Sequence, residues 1–270
     1  MRPEDFDVLA GLLTQRSGIA LTPDKQYLLE TRLQPILAGL NCKTIGDLIT
    51  KLKLDSKNDA LIREVIEAMT TNESMFFRDI KPFEQLKKMV FPEIKNKQGT
   101  IRIWSAACSN GQEPYSIAIS ILEEKNNLNG AQFEILATDL DTKVIKKAQE
   151  GLYTQFEVQR GLPITTLLSN FSQEANNNWR IKDHVKSMVR FRQFNLLDSF
   201  ALHGKFDIIM CRNVLIYFDD ATKRDILKKL SQALQPNGYL FLGAAETIIG
   251  LSDDLKPFGN ERGIYVRVNP

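Results

Sequence analysis

Apolar positions in the first part of the chain recur at helical spacing. Phe6, Leu9, Ala10, Leu12 and Leu13 form one stripe, which predicts a helix over 3–18 stopped by Ser17 and Gly18. Thr22 as cap and Pro23 at the first position predict a second helix over 23–38. Its apolar side carries Tyr27, Leu28, Leu33, Ile36 and Leu37, and its polar side carries Lys25 and Arg32. After a turn, Thr44 caps a third helix through Lys53, and Ser56 to Asp59 lead into a fourth over 60–69. No strand pattern intervenes, so residues 1–70 read as a small all-helical domain. The periodicity breaks over 71–80, which is polar, then aromatic, then charged. That stretch reads either as a linker with a helix cap or as a lid whose Asn72, Ser74 and Arg78 face a ligand. A helix is expected over 81–90, with 92–99 leading into the first strand.

From residue 101 the pattern alternates between short apolar runs and amphipathic helices. The run 101–106 enters the small-residue turn Ala107-Cys108-Ser109-Asn110-Gly111, which opens a helix over 113–125. Pro114 suits the first helical turn, where its missing N–H costs nothing. Strands follow over 133–138, ending at Asp139, over 189–194 and over 206–211, with helices over 141–149 and 220–235. The run Phe206-Asp207-Ile208-Ile209-Met210-Cys211 is apolar enough to be covered on both faces, as a central parallel strand requires. Pro236-Asn237-Gly238 reads as a turn before a strand over 239–242, and a helix near 247–250 precedes a final antiparallel strand over 264–268. Residues 151–188 depart from the alternation. They hold a helical piece over 164–168, short strand-like pieces over 179–182 and 185–189, and a triple asparagine that marks a loop tip. This is an α/β fold, a doubly wound parallel sheet over 81–270 with a subdomain inserted at about 151–188.

Composition sharpens the picture little. A hydrophobic fraction of 43% and a charged fraction of 25% are those of a globular domain, and no apolar run approaches a membrane span. The formal net charge of +2 argues against a nucleic-acid partner. The polar N-terminus lacks the apolar core of an export signal. Cys42, Cys108 and Cys211 are far apart and only His184 and His203 are present, so no metal site is expected. Three free thiols fit a reducing cytoplasm.

Open α/β sheets bind ligands at the carboxyl ends of their strands. Glu113, Asp139, Asn195 and Arg212 all fall there. The turn after the first strand is not the dinucleotide fingerprint, because Ala107, Ser109 and Gln112 stand where glycines are needed. Its plain reading is an ordinary strand-to-helix turn. Glu113 stands where the cationic moiety of an amino acid is met, and Asp139 stands where such folds hold ribose hydroxyls. Asp139 would otherwise cap the next helix, but Asp141 is better placed for that. No residue looks like a strong general base.

Five motifs carry a family resemblance. T-x-N-E-S-x-F-F-R, W-S-A-A-C-S-x-G-Q-E-P-Y-S-I-A, I-x-A-T-D-L-D, N-L-L and C-R-N-V-L-I-Y-F together resemble the CheR-type chemotaxis receptor methyltransferases. The resemblance spans nearly the whole chain. It implies a class I, Rossmann-like methyltransferase that transfers a methyl group from S-adenosylmethionine to receptor glutamates, leaving S-adenosylhomocysteine, with no metal. It implies that Asn72, Ser74 and Arg78 lie in a linker that closes over the cofactor, and that Glu113 meets the methionine amino group. It further implies that Asp139 holds the ribose, that Asn195 and Leu196 address the adenine, and that Arg212 and Asn213 lie beside the cofactor. Arg78 and Tyr217 are then nearest the transferred methyl, and Lys25 and Arg32 face the acidic helices of the receptor cytoplasmic domain. A solvated helix face is the plain reading of those two cations. The loop over 171–184 is shorter than in family members that tether to a receptor pentapeptide, which implies no such tether. A monomeric cytoplasmic enzyme is expected.

Two other classes share the fold. A base-modifying methyltransferase would show an Asn/Asp-Pro-Pro-Tyr/Phe turn where this chain reads Arg212-Asn213-Val214-Leu215. It would also show a basic tract interleaved with aromatics. A non-enzymatic S-adenosylmethionine sensor would keep the same site residues.

Overall fold

The computed structural model describes residues 1–54 and 59–268. The expected lead-in at Ser56 to Asn58 lies outside the described residues. The chain divides into two compact units, one formed by Met1–Thr71 with Tyr217–Lys223, the other by Asn72–Ile216 with Arg224–Pro270.

The first unit is helical. Pro3–Ser17 forms a helix closed by Gly18 at φ 77°, whose N–H bonds the Thr14 carbonyl. Leu9 and Leu13 are fully buried along its stripe. The expected continuous helix over 23–38 is instead three pieces, Pro23–Lys25, Gln26–Arg32 and Gln34–Gly39. Pro35 is the reason for the second break, at Leu33: it has no N–H for the Thr31 carbonyl and its ring crowds that carbonyl. The Thr22 hydroxyl makes no capping bond. Thr44 does cap the next helix, Ile45–Leu54. Its hydroxyl accepts the Asp47 N–H at 3.1 Å while the Asp47 carboxylate accepts the Thr44 N–H at 2.8 Å. Asp59–Met69 completes the set.

Among the described residues the second unit holds ten strands. In chain order they are β1 (Ile101–Ala106), β2 (Phe133–Asp139), β3 (Leu152–Thr154), β4 (Phe171–Gln173), β5 (Asn178–Ile181), β6 (Val189–Gln193), β7 (Phe206–Cys211), β8 (Leu234–Leu242), β9 (Leu255–Pro257) and β10 (Ile264–Arg267). Seven of them form one sheet in the order β6-β2-β1-β7-β8-β10-β9. The first five in that order run parallel, and β10 pairs antiparallel with both β8 and β9. The order reverses at β1, which places β2 on one side and β7 on the other. That is the topological switch at which such sheets bind ligands. β7 is buried at all six positions, as a central strand must be. Trp104 anchors the end of β1. It is fully buried, donates to the Thr138 hydroxyl at 2.9 Å, and packs against Phe194, Phe200 and Phe206.

Several local expectations are corrected. The helix expected to end at residue 90 continues through Pro92 to Ile94. It does so by way of a π-helical segment, Leu86–Val90, in which the Phe91 N–H reaches back to Leu86. Widening that turn moves the proline ring off the carbonyl it would otherwise strike. Pro236-Asn237-Gly238 lies within the span of β8, where three extra residues shift the register between Phe206 and Ile208 and Asn237 takes a positive φ of 61°. The strand-like piece at 185–189 begins as the short helix Asp183–Lys186, since a five-residue apolar alternation fits either period. No helix forms at 247–250. The inserted segment carries its own antiparallel sheet in the order β3-β5-β4, and Asn176 and Asn177 take positive φ at its loop tip.

Candidate active site

The turn after β1 curls back tightly, with Ala107, Ser109 and Gly111 all at positive φ, and delivers the chain into the helix Gln112–Glu123. Its Cys108 N–H bonds the Thr138 carbonyl at 2.9 Å, which seats the turn on the end of β2. Asp139, 7% exposed, then accepts the Ser109 N–H at 2.8 Å and the Asp141 N–H at 3.0 Å, one on each carboxylate oxygen. Burial pushes its pKa up to about 6 against the pull of those two amides. Asp141 caps the next helix through the Lys143 and Val144 N–H groups, as the sequence suggested, and its second oxygen accepts the Asn72 side-chain amide at 2.8 Å. The Ser109 hydroxyl donates to the Asn72 carbonyl at 3.1 Å. Asn72 is thereby stitched to both turns.

Glu113 sits one residue into its helix with both oxygens engaged. Oε1 accepts the Ser105 hydroxyl at 2.8 Å and Oε2 accepts Arg212 Nη1 at 2.9 Å. Burial raises its pKa, opposed by Arg212 and the Ser105 hydrogen bond. Arg212, just past β7, turns its other terminal nitrogen to the Arg78 carbonyl at 2.9 Å and the Asp79 carboxylate at 2.7 Å. Its guanidinium lies 5.7 Å from the centre of the Phe83 ring. Two hydrogen-bonded clusters therefore tie segment 72–79 to the strand ends: Asn72 with Ser109, Asp139 and Asp141 at the turn after β1 and the end of β2, and Asp79 with Arg212, Glu113 and Ser105 at the ends of β7 and β1.

The remaining expected residues fall as follows. Phe194 donates its N–H to the Asp139 carbonyl at 2.9 Å, which sets Asn195 and Leu196 beside the end of β2. The Asn195 side chain accepts the Leu197 N–H at 3.0 Å, and Leu196 is buried. Arg78 folds its guanidinium onto the Glu73 carbonyl at 2.9 Å, and Ser74 is half-buried nearby in sequence. Asn213 takes a left-handed φ of 58°. Tyr217 ends the short helix Leu215–Tyr217, and its carbonyl accepts the Ala20 N–H within the helical unit. Lys25 is exposed. Arg32 is half-buried. Its guanidinium grips the Met69 and Thr70 carbonyls at 2.8 and 3.0 Å and the Thr71 hydroxyl at 3.0 Å, so it caps the last helix of its unit.

Ser105, Ser109, Asp79, Gln112 and Glu246 were not singled out from the sequence. The first two and Gln112 lie inside the β1 motif, and Asp79 directly follows Arg78, so position alone pointed to them. Nothing in the sequence marked Glu246. Cys108 and Cys211 are buried, and burial pushes both thiols well above their ordinary range, so neither serves as a nucleophile. Among the described residues no cluster of histidine, cysteine, aspartate or glutamate has a metal-holding arrangement, and no helix is long and apolar enough to cross a membrane.

The donor set fits an adenosyl amino acid. Asp139 retains lone pairs for ribose hydroxyls, and Glu113 offers negative charge for an ammonium group. The Gln112 Oε1 and Arg212 Nε atoms are buried with no partner, which a polar ligand would satisfy. A parallel sheet of this order with that set at its switch point defines a class I methyltransferase that binds S-adenosylmethionine. The chain belongs to the CheR methyltransferase family. Residues 72–264 match its S-adenosylmethionine-binding domain, and residues 4–70 match its all-alpha domain. It is 44% identical to the chemotaxis protein methyltransferase Cher2 of Pseudomonas putida over 92% of each chain. It is 42% identical to chemotaxis protein methyltransferase 1 of Pseudomonas aeruginosa over 97% of each chain. It is 38% identical to the chemotaxis protein methyltransferase of Vibrio parahaemolyticus, over 99% of this chain and 94% of that one.

Proposed function

We propose that this chain methylates glutamate side chains on the cytoplasmic helical domain of chemotaxis receptors. The observation that carries the reading is the pair of clusters that tie segment 72–79 to Asp139 on one side and to Arg212 and Glu113 on the other, set in a chain whose relatives are named chemotaxis protein methyltransferases. S-adenosylmethionine supplies an electrophilic sulfonium methyl. A glutamate with an unperturbed pKa of about 4.3 is already ionised at neutral pH and attacks without a general base. The oxygen–methyl bond forms as the sulfur–methyl bond breaks, and sulfur keeps the electron pair. The protein's part is alignment and exclusion of water.

Asp139 holds the ribose, Glu113 the amino group, and Asn195 and Leu196 the adenine. Asn72, Ser74, Arg212 and Asn213 line the remainder. Arg78 positions the substrate carboxylate and Tyr217 orients it through its hydroxyl. Lys25 meets acidic receptor helices, whereas Arg32 serves its own unit. The enzyme works as a cytoplasmic monomer and engages no pentapeptide tether; micromolar binding of a receptor C-terminal pentapeptide in calorimetry would overturn that last point.

Incubation with radiolabelled S-adenosylmethionine and receptor cytoplasmic fragments tests the reaction. A methyl ester releases its label as volatile methanol in mild alkali. Label that survives alkali would place the methyl on nitrogen and overturn the assignment.

A further inference from the structure

The Glu246 carboxylate accepts four backbone N–H groups. Oε2 takes Asn213 at 2.9 Å and Gly243 at 2.6 Å, and Oε1 takes Val214 at 2.9 Å and Leu215 at 2.7 Å. Three of the four are consecutive. Neither a strand nor a helix interior points successive amides at one acceptor; a concave run of N–H groups does, and it normally receives an anion. Here the anion is part of the chain. The run begins at Asn213, the left-handed residue after Arg212, and ends where the helix Leu215–Tyr217 starts. The first amides of that helix would otherwise be orphans.

Gly243 completes the arrangement. It follows β8 directly, and Leu242 pairs with Cys211 at the end of β7. A Cβ on residue 243 would lie 2.8 Å from both Asn213 Nδ2 and Glu246 Oε2, and 2.9 Å from the Asn213 nitrogen. Only glycine lets the two strand ends and the carboxylate meet. The Glu246 N–H closes its own turn on the Gly243 carbonyl at 2.9 Å.

We propose that Glu246 is a positioning residue for methyl transfer, its carboxylate clamping residues 213–215 to the end of β8 so that Arg212 and Asn213 are held in their working places. This rests on the reading that Arg212 and Asn213 lie beside the cofactor. Glu246 itself need touch neither cofactor nor substrate. Its action is geometric, and displacement of reacting groups by about 1 Å costs on the order of a hundredfold in rate.

Paired substitutions separate positioning from packing. Glu246→Gln keeps volume but sets an amide NH2 against two N–H donors, whereas Glu246→Asp keeps the acceptor charge and loses a methylene. A positioning role predicts a fall of roughly tenfold to a hundredfold in kcat for Glu246→Gln, measured well below its thermal midpoint and larger than its loss of stability accounts for, and a smaller fall for Glu246→Asp. A packing role predicts the reverse order. Turnover of Glu246→Gln within twofold of the parent, or activity that simply tracks the thermal midpoint across both variants, overturns the proposal. Should Glu246→Gln fail to fold, amide hydrogen exchange of the unsubstituted protein decides. Protection at 213–215 equal to that of β7 supports the clamp, and exchange at exposed-loop rates overturns it. Glu113→Gln run in parallel tests the pocket itself. Loss in Glu246→Gln with intact cofactor affinity in Glu113→Gln keeps the clamp and removes Glu113 from the pocket.

Discussion

Nη1 of Arg212 lies 2.9 Å from Oε2 of Glu113, with the arginine side chain 1% exposed and the glutamate 13%. A pair this enclosed is costly to break from one side, because the survivor is left as a buried charge. Glu113→Ala should therefore destabilise the fold by about 3 kcal/mol as well as weaken S-adenosylmethionine binding. Urea unfolding checks the first and calorimetric titration the second. A loss under about 1 kcal/mol would mean that Asp79 alone satisfies the arginine.

Asp139 should tie cofactor affinity to pH. Its carboxyl, raised to about 6 by burial, would titrate near 3.9 in the unfolded chain. The folded chain therefore binds the extra proton between those values. The stabilisation this gives, on the order of 3 kcal/mol, is complete below about pH 4 and lost as pH rises through about 6. The difference in unfolding free energy between the parent and Asp139→Asn should fall across that window and then level off. Cofactor affinity should move the opposite way, rising from pH 5 to 7 as the ionised carboxylate becomes available to hydroxyl donors. Affinity that is flat over that range would remove Asp139 from the ribose site.

Gly161→Ala should cripple the protein from a distance. Gly161 has φ 100°, and an added Cβ would lie 1.9 Å from the Phe76 carbonyl oxygen. Phe76 is itself fully buried between Tyr153 and Phe171, with ring centres 5.0 and 5.3 Å away, so it has no room to yield. A loss of roughly 2–4 kcal/mol is expected, with segment 72–79 displaced and turnover reduced. Thermal unfolding and the methyl-labelling assay report the two effects.

Arg32 and Lys25 should separate cleanly. Arg32→Ala removes the cap on helix Asp59–Met69 and should cost about 1–2 kcal/mol while leaving KM for a receptor fragment unchanged. Arg32→Lys should not rescue it, since an ammonium cannot fork onto two carbonyls and a hydroxyl. Lys25→Ala should leave stability alone and raise KM, most visibly at low salt.

Much of this was readable from residue order. The alternation after residue 101 sets the sheet, and Trp104, Asp139 and Glu113 follow from where its strands end. Two of the failures share a cause: a local pattern overridden by a distant partner. Arg32 looked like a surface cation because its three acceptors lie almost forty residues away. Glu246 went unmarked because three of its four donors belong to another strand's exit. Pro92 looked like a stop because nothing in its neighbourhood announces a π turn. Bonds to residues close in sequence, such as the Thr44–Asp47 pair, were legible; those closed by tertiary packing were not.

The outermost strands of the large sheet have a consequence for behaviour in concentrated solution. β9 is only three residues long and ends in Pro257, which offers no amide to a newcomer. At the opposite margin, β6 exposes Arg190 and Arg192, two positive charges that a matching copy would have to bring against its own. Both margins are poor templates for another chain's strand, although Arg190 is partly balanced by Glu134 at 3.1 Å.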